Sequence, residues 1–239
     1  CPTIISEYYS KGTLDQIISQ QVTHLTATEK LIIVYGIACG MMYLHSNGIL
    51  HCDLKPANIS IDDHLYPKIT GFYISHQISS YHKSDKYVIQ GTPAYIAPEI
   101  YLTEGNSKAS DVYAFSLIVY ELITNQKPFS EFNDVKQIQK TVIKEGFCPC
   151  FPQDTPEAYK KLIEQCCSQF PDDRPKFKEI VNELKNNRQF ITDEVNFEQY
   201  QNYISMIESS EKSFESQQTV ICDFEEEKRK AVSEYASKQ

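Results

Sequence analysis

Eight consecutive residues, His51-Cys52-Asp53-Leu54-Lys55-Pro56-Ala57-Asn58, constrain this chain more than any other feature. They stand between two different patterns. Upstream, Thr26-Ala27-Thr28-Glu29 is a capping box, and Ile32, Tyr35, Cys39 and Met42 follow at helical spacing up to a stop at Asn47-Gly48. Downstream, Ile59-Ser60-Ile61 and Tyr66 to Ile69 read as two short strands around an Asp62-Asp63 turn. A carboxylate, an amine and an amide therefore sit within six positions, between a helix and a hairpin.

The rest of the chain is mostly helical in pattern. Thr3 to Ser6 has strand character centred on Ile4-Ile5, Lys11-Gly12 marks a turn, and Leu14, Ile17 and Ile18 recur at helical spacing. Residues 74–90 are polar without an apolar period and read as a loop. Asp111 to Thr124 is a largely apolar helix, and helical patterns return near 134–145, 156–167 and 176–187. The expectation is a mainly α domain (α+β) with a few short strands.

Charge divides the chain. Of the formal net charge of -9, residues 190–239 carry 11 acidic and 5 basic side chains, leaving 18 basic and 21 acidic for the remainder. We expect one domain over 1–188 and an acidic, partly helical tail over 189–239, where Phe197, Tyr200, Tyr203, Ile204 and Ile207 keep helical spacing on a solvated extension. The acidity argues against a nucleic-acid partner. No apolar run reads as long enough to span a bilayer and no signal peptide is visible, so no membrane partner is expected. Eight scattered cysteines fit a reduced, cytoplasmic protein better than a disulfide framework. Cys148-Pro149-Cys150 and Cys166-Cys167 lack zinc spacing and read as core thiols and a loop.

Five segments, in order, are similar to the C-terminal lobe of protein kinases. They are Ile4-Ile5-Ser6-Glu7-Tyr8-Tyr9, the octapeptide, Gly91-Thr92-Pro93-Ala94-Tyr95-Ile96-Ala97-Pro98-Glu99, Asp111-Val112-Tyr113-Ala114-Phe115-Ser116, and Asp173-Arg174-Pro175. The octapeptide resembles the catalytic loop H-R-D-L-K-P-x-N, and the whole looks most like the tyrosine-kinase-like serine/threonine group. The resemblance covers residues 1–188 and implies ATP and Mg²⁺ as cofactors and proteins as substrates or partners in signal transduction. It makes Asp53 the acceptor of the substrate hydroxyl proton, Lys55 the neutraliser of transferring charge, Thr92 its serine/threonine-type companion and Asn58 a metal ligand. Glu7 and Tyr9 fall at the adenine hinge and Ser60 at the adenine floor. Glu99 and Arg174 resemble a buried ion pair, and Asp111 the carboxylate that holds the catalytic-loop backbone.

The chain also departs from that pattern. Gly71-Phe72-Tyr73 stands where the family carries Asp-Phe-Gly, so the magnesium carboxylate is replaced by a hydrogen. Asp62 or Asp63 is the alternative carboxylate. Cys52 replaces an arginine that reads an activation-loop phosphate, and Ser60 replaces an apolar floor. Tyr113 and Cys167 stand at two family tryptophans, and Cys167 is expected to loosen local packing. None of the eight glycines forms G-x-G-x-x-G, and the chain opens in mid-domain, so the N-terminal lobe is expected to be missing and apolar cleft surface around Ile4, Ile59 and Ile69 to be exposed. The reading is a pseudokinase acting as scaffold or allosteric partner. The alternatives are an active serine/threonine kinase and a passive platform whose tail binds proteins.

Overall fold

The computed structural model describes residues 7–20, 24–78, 91–102, 105–132, 134–145 and 148–210. The expected strand at 3–6 and the loop residues 79–90 lie outside them. The chain divides into two compact units, Cys1–Val195 and Asn196–Gln239. The second contains a helix over residues 197–210.

The first unit is mainly helical. Helix α1 (Leu14–Gln20) is followed by α2 (Ala27–Ser46), which starts as its capping box dictates: the Glu29 N–H donates to Thr26 Oγ1 at 3.2 Å and the Thr26 N–H to Glu29 Oε2 at 2.7 Å. Strand β1 (Ile49–Leu50) leads into the octapeptide. Strands β2 (Ile59–Ile61) and β3 (Pro67–Ile69) pair antiparallel in the register Ile59 with Ile69. Strand β4 (His76–Gln77) returns to β1, with Leu50 opposite His76. It occupies part of the stretch read as loop, because a two-residue strand has no period for a sequence to display.

The remaining helices are α3 (Pro98–Tyr101), α4 (Lys108–Thr124), α5 (Val135–Glu145), α6 (Glu157–Cys166) and α7 (Phe177–Asn186). Helix α4 begins earlier than its apolar run suggests because Ser107 caps it: Ser107 Oγ accepts from the Ser110 N–H, and Ser110 Oγ from the Ser107 N–H. The core is built on α2 and α4. Phe177 of α7 stands edge-on to His45 of α2 and to Phe115 of α4, with ring centroids 5.0 and 5.4 Å apart.

Three expectations need correction. Helix α2 is long and apolar enough to cross a bilayer, although no such run was expected. Most of it is buried against α7, β3, β1 and α4, as befits a helix apolar on all sides inside a protein. Ile59 is not exposed cleft surface: it is fully buried, because β2 also meets the α1 entry, where the Ile61 N–H donates to Gly12 O at 2.9 Å. Cys148 and Cys167 are not core thiols. They are joined by a disulfide, with Cα atoms 6.0 Å apart, so the place where aromatic volume was expected to be missing is covalently tied.

Candidate active site

The octapeptide is held from behind by one carboxylate. Asp111, buried in the first turn of α4, accepts at Oδ2 from the His51 N–H at 3.0 Å and from His45 Nε2 at 2.9 Å, and at Oδ1 from the Cys52 N–H at 3.0 Å. These bonds fix a backbone that would otherwise resist its own shape, because Cys52 sits in the left-handed region at φ 68°. The His51 ring completes the frame. Its Nε2 donates to Thr70 O at 2.8 Å, and its Nδ1 accepts from the Asp53 N–H at 3.3 Å.

Four side chains converge in front of this frame. Asp53 Oδ2 pairs with Lys55 Nζ at 2.8 Å and accepts from Asn58 Nδ2 at 3.0 Å, while Oδ1 accepts from Thr92 Oγ1 at 3.1 Å. Lys55 Nζ also donates to Thr92 Oγ1 at 2.6 Å, and Asn58 Nδ2 to Asp53 O at 2.7 Å. The structure thus brings together Asp53, Lys55, Asn58 and Thr92, from segments 39 residues apart. The geometry suits a hydroxyl-activating site: a carboxylate at the centre, an ammonium beside it, and a hydroxyl bridging the two.

Gly71 closes one side. It is left-handed at φ 82°, and a Cβ there would lie 2.4 Å from Asn58 Cγ and 2.5 Å from Asn58 Oδ1. The Asn58 amide therefore occupies the space into which a side chain at 71 would grow. Beyond it, Phe72 to Ile74 form a 3₁₀ turn with Tyr73 86% exposed, while the Phe72 ring stands 5.2 Å from that of His51. Neither alternative carboxylate reaches this place. Asp62 Oδ1 accepts from the His64 and Tyr66 N–H groups, Asp62 Oδ2 pairs with Lys68 at 3.3 Å, and Asp63 is bonded by Ser10.

The remaining predicted residues lie apart from the cluster. Ser60 is half-buried in β2, where it bridges to Thr13. The Tyr9 hydroxyl donates to Glu7 Oε2 at 2.8 Å, its carbonyl accepts from the Gly12 N–H, and burial together with Glu7 pushes the phenol up to about 12. Among the described residues, no hydrogen bond joins Glu7, Tyr9 or Ser60 to Asp53, Lys55, Asn58 or Thr92.

Behind Thr92, the segment to Tyr101 is anchored twice. Arg174, whose side chain is fully buried, grips both oxygens of Glu99 at 2.7 and 2.9 Å. It also donates to Ala109 O at 2.9 Å and Ser168 O at 2.8 Å, and its guanidinium lies 5.1 Å above the Tyr113 ring. The Tyr95 hydroxyl donates to Glu121, whose carboxyl burial pushes up. Sequence reasoning missed Glu121; the available signal was a carboxylate near the end of α4, after nine residues without a charge.

Comparison with known proteins decides the family. The protein kinase domain family matches residues 2–184. This chain belongs to it. The kinase domain is similar to a protein from Dictyostelium discoideum named as a probable serine/threonine-protein kinase, at 35% identity over 77% of this chain and 13% of that protein. It is also similar to the dual specificity protein kinase shkC of the same organism, at 30% identity over 76% of this chain and 36% of that one. A LIM domain-containing serine/threonine-protein kinase named as probable, again from that organism, matches at 31% over 79% of this chain and 28% of its own length. The kinase domain thus spans about a third or less of these curated relatives.

Kinases of this family use ATP and Mg²⁺ and act on proteins. The donors present do not fit the metal. Among the described residues no three carboxylates, histidines or cysteines are placed to hold a metal ion between them. The Asp53 carboxylate is shared by an ammonium, a hydroxyl and an amide, position 71 offers no side chain, and the neighbouring aspartates are committed to the β2–β3 turn. Cys52 supplies no charge either. Burial raises its thiol, the carboxylates of Asp111 and Asp53 add to the effect, and its Sγ rests 3.5 Å from His76 Nδ1.

Proposed function

We propose that this kinase domain is impaired in phosphoryl transfer and works as a scaffold or allosteric partner for other proteins, in a cytoplasmic signalling setting. One observation carries the reading: the amide of Asn58 fills the space at Gly71, where a metal-binding carboxylate would project, and no nearby acid replaces it. Phosphoryl transfer is mostly charge neutralisation and positioning, so a site without its metal carboxylate loses the larger part of its chemistry. A second reading, an active serine/threonine kinase, draws on the cluster itself. Asp53, Lys55 and Thr92 are already bonded in an order that suits deprotonating a protein hydroxyl.

Thermal melting and phosphate transfer, measured on the longest natural product containing this domain, separate the two. The expected result is no rise in Tm with ATP and Mg²⁺, and no transfer above an Asp53→Asn control. Gly71→Asp is expected to melt below the native protein without nucleotide. A left-handed non-glycine residue costs about 1 kcal/mol, and Asn58 must turn out of the way. The same variant should gain a Mg²⁺-dependent rise with ATP. Metal-dependent transfer by the native protein that disappears in Asp53→Asn would overturn the first reading and establish the second.

A further inference from the structure

We propose that Cys148 and Cys167 form a reversible thiol–disulfide pair, a modification site for low-molecular-weight disulfides, whose state governs how firmly the end of α6 holds Arg174.

The bridge does not belong to a disulfide framework. Among the described residues Cys39, Cys52, Cys150 and Cys166 take part in no disulfide, and two of them are buried. One bond beside four unbridged cysteines among the described residues is not a scaffold built on cross-links. Its two ends differ in access. Cys167, at the C-terminal cap of α6, is buried, whereas Cys148 lies half-exposed in the connection to α6, two residues before the exposed Cys150. A bridge with one end not fully buried exchanges more readily than one sealed in the core.

Both ends also stay in place without the bond. The Tyr120 hydroxyl of α4 donates to Cys150 O at 3.1 Å, and its ring lies 6.0 Å from that of Phe151, which pins the Cys148 side. Gln169 Nε2 donates to Ile143 O at 3.2 Å, which ties the turn after α6 back to α5. Reduction therefore leaves the two thiols near each other and ready to close again.

The bond is linked to the site through short steps. Ser168 follows Cys167 directly, and its carbonyl accepts from Arg174 Nε. Arg174 in turn holds Glu99, and α3 carries Glu99 at the end of the segment that begins at Gly91 and places Thr92 on Asp53. Locking the cap of α6 fixes the carbonyl on which the guanidinium is oriented.

The chemistry balances with a disulfide RSSR as co-reactant. The Cys148 thiolate attacks one sulfur of RSSR; the Cys148–SR bond forms, the S–S bond of RSSR breaks, and the departing RS⁻ takes up a proton. The Cys167 thiolate then attacks Cys148 Sγ and expels the second RS⁻, which is protonated likewise. Two electrons pass from the protein dithiol to RSSR, giving the bridge and two RSH; the reverse consumes two RSH. None of this depends on whether the domain transfers phosphate, and its readouts are independent of that question.

The test equilibrates the full chain in buffers of varied glutathione to glutathione disulfide ratio, quenches with acid, and reads the 148–167 cross-linked peptide by mass alongside Tm. We expect half-conversion at an intermediate ratio and an oxidised form melting roughly 5–10 °C above the reduced one. Amide exchange at residues 96–101 should be slower in the oxidised form. Cys148→Ser and Cys167→Ser should melt like the reduced protein in every buffer. Cys148→Ser, at a half-exposed position, keeps the test interpretable should Cys167→Ser fold poorly. Three outcomes would each overturn the proposal: no cross-link in excess glutathione disulfide, a cross-link that persists in excess glutathione, or two states equal in melting and in exchange.

Discussion

Replacing Arg174 with alanine should cost about 3–5 kcal/mol, one of the two largest losses expected in this protein. The figure follows from what is left behind. Glu99 is buried and loses both donors, and the carbonyls of Ala109 and Ser168 lose theirs at the same time. The Tyr113 ring also loses the cation above it. For a domain of this size that loss corresponds to a fall in Tm of about 10 °C. Glu99→Gln separates charge from shape, because the amide still accepts one hydrogen bond but presents an N–H to the other guanidinium nitrogen. Its melting temperature should lie between the native protein and Arg174→Ala. Equal melting of all three would mean that the pair is incidental to the fold. A drop confined to Arg174→Ala would place its value in the contacts to Ala109 and Ser168.

The second large effect is expected at Asp111. Alanine there orphans the His51 and Cys52 N–H groups and His45 Nε2 in a site with little water access, at about 3–5 kcal/mol in total. Asparagine should be nearly as damaging. Both carboxylate oxygens accept, so an amide NH₂ must face at least one N–H wherever it points. Hydrogen exchange gives the more specific readout, with protection at residues 51 and 52 falling well before the rest of the core. Because Cys52 keeps a left-handed backbone only under this restraint, the loop should relax toward an ordinary conformation, and the bonds from Lys55, Asn58 and Thr92 to Asp53 should go with it. Native-like exchange at 51 and 52 in Asp111→Ala would show that the loop holds its own shape.

The parts of this structure that sequence could announce are those with a local signature. Thr26 and Glu29 marked the start of α2 because a capping box is a contact between near neighbours, and α6 and α7 followed from apolar residues three and four apart. The octapeptide put Asp53, Lys55 and Asn58 within six positions, so their meeting needed only a turn. Thr92, 34 positions beyond Asn58, was reachable only through resemblance to known kinases, since nothing in composition or period ties it to Asp53. Strands β1 and β4 left no trace, being two residues each. The Cys148–Cys167 bond, 19 residues apart, could not be told from chance among eight cysteines. The contact between Gly71 and Asn58 was also out of reach. A missing side chain is visible in sequence, but the neighbour that fills its space is not.

Helix α2 has a consequence for how this protein is made. Its partner in the most extensive helix–helix contact among the described residues, α7, leaves the ribosome roughly 130 residues later, so within this domain the contact becomes possible late. Until α7 arrives, one side of a helix long and apolar enough to enter a bilayer stays uncovered, although β1, β3 and α4 can already pack on the rest. At about 5–20 residues per second, that interval lasts many seconds. A growing chain in this state is a natural client for chaperones and a candidate for mistargeting. A ribosome that stops short of α7 releases a product that is sticky as well as incomplete.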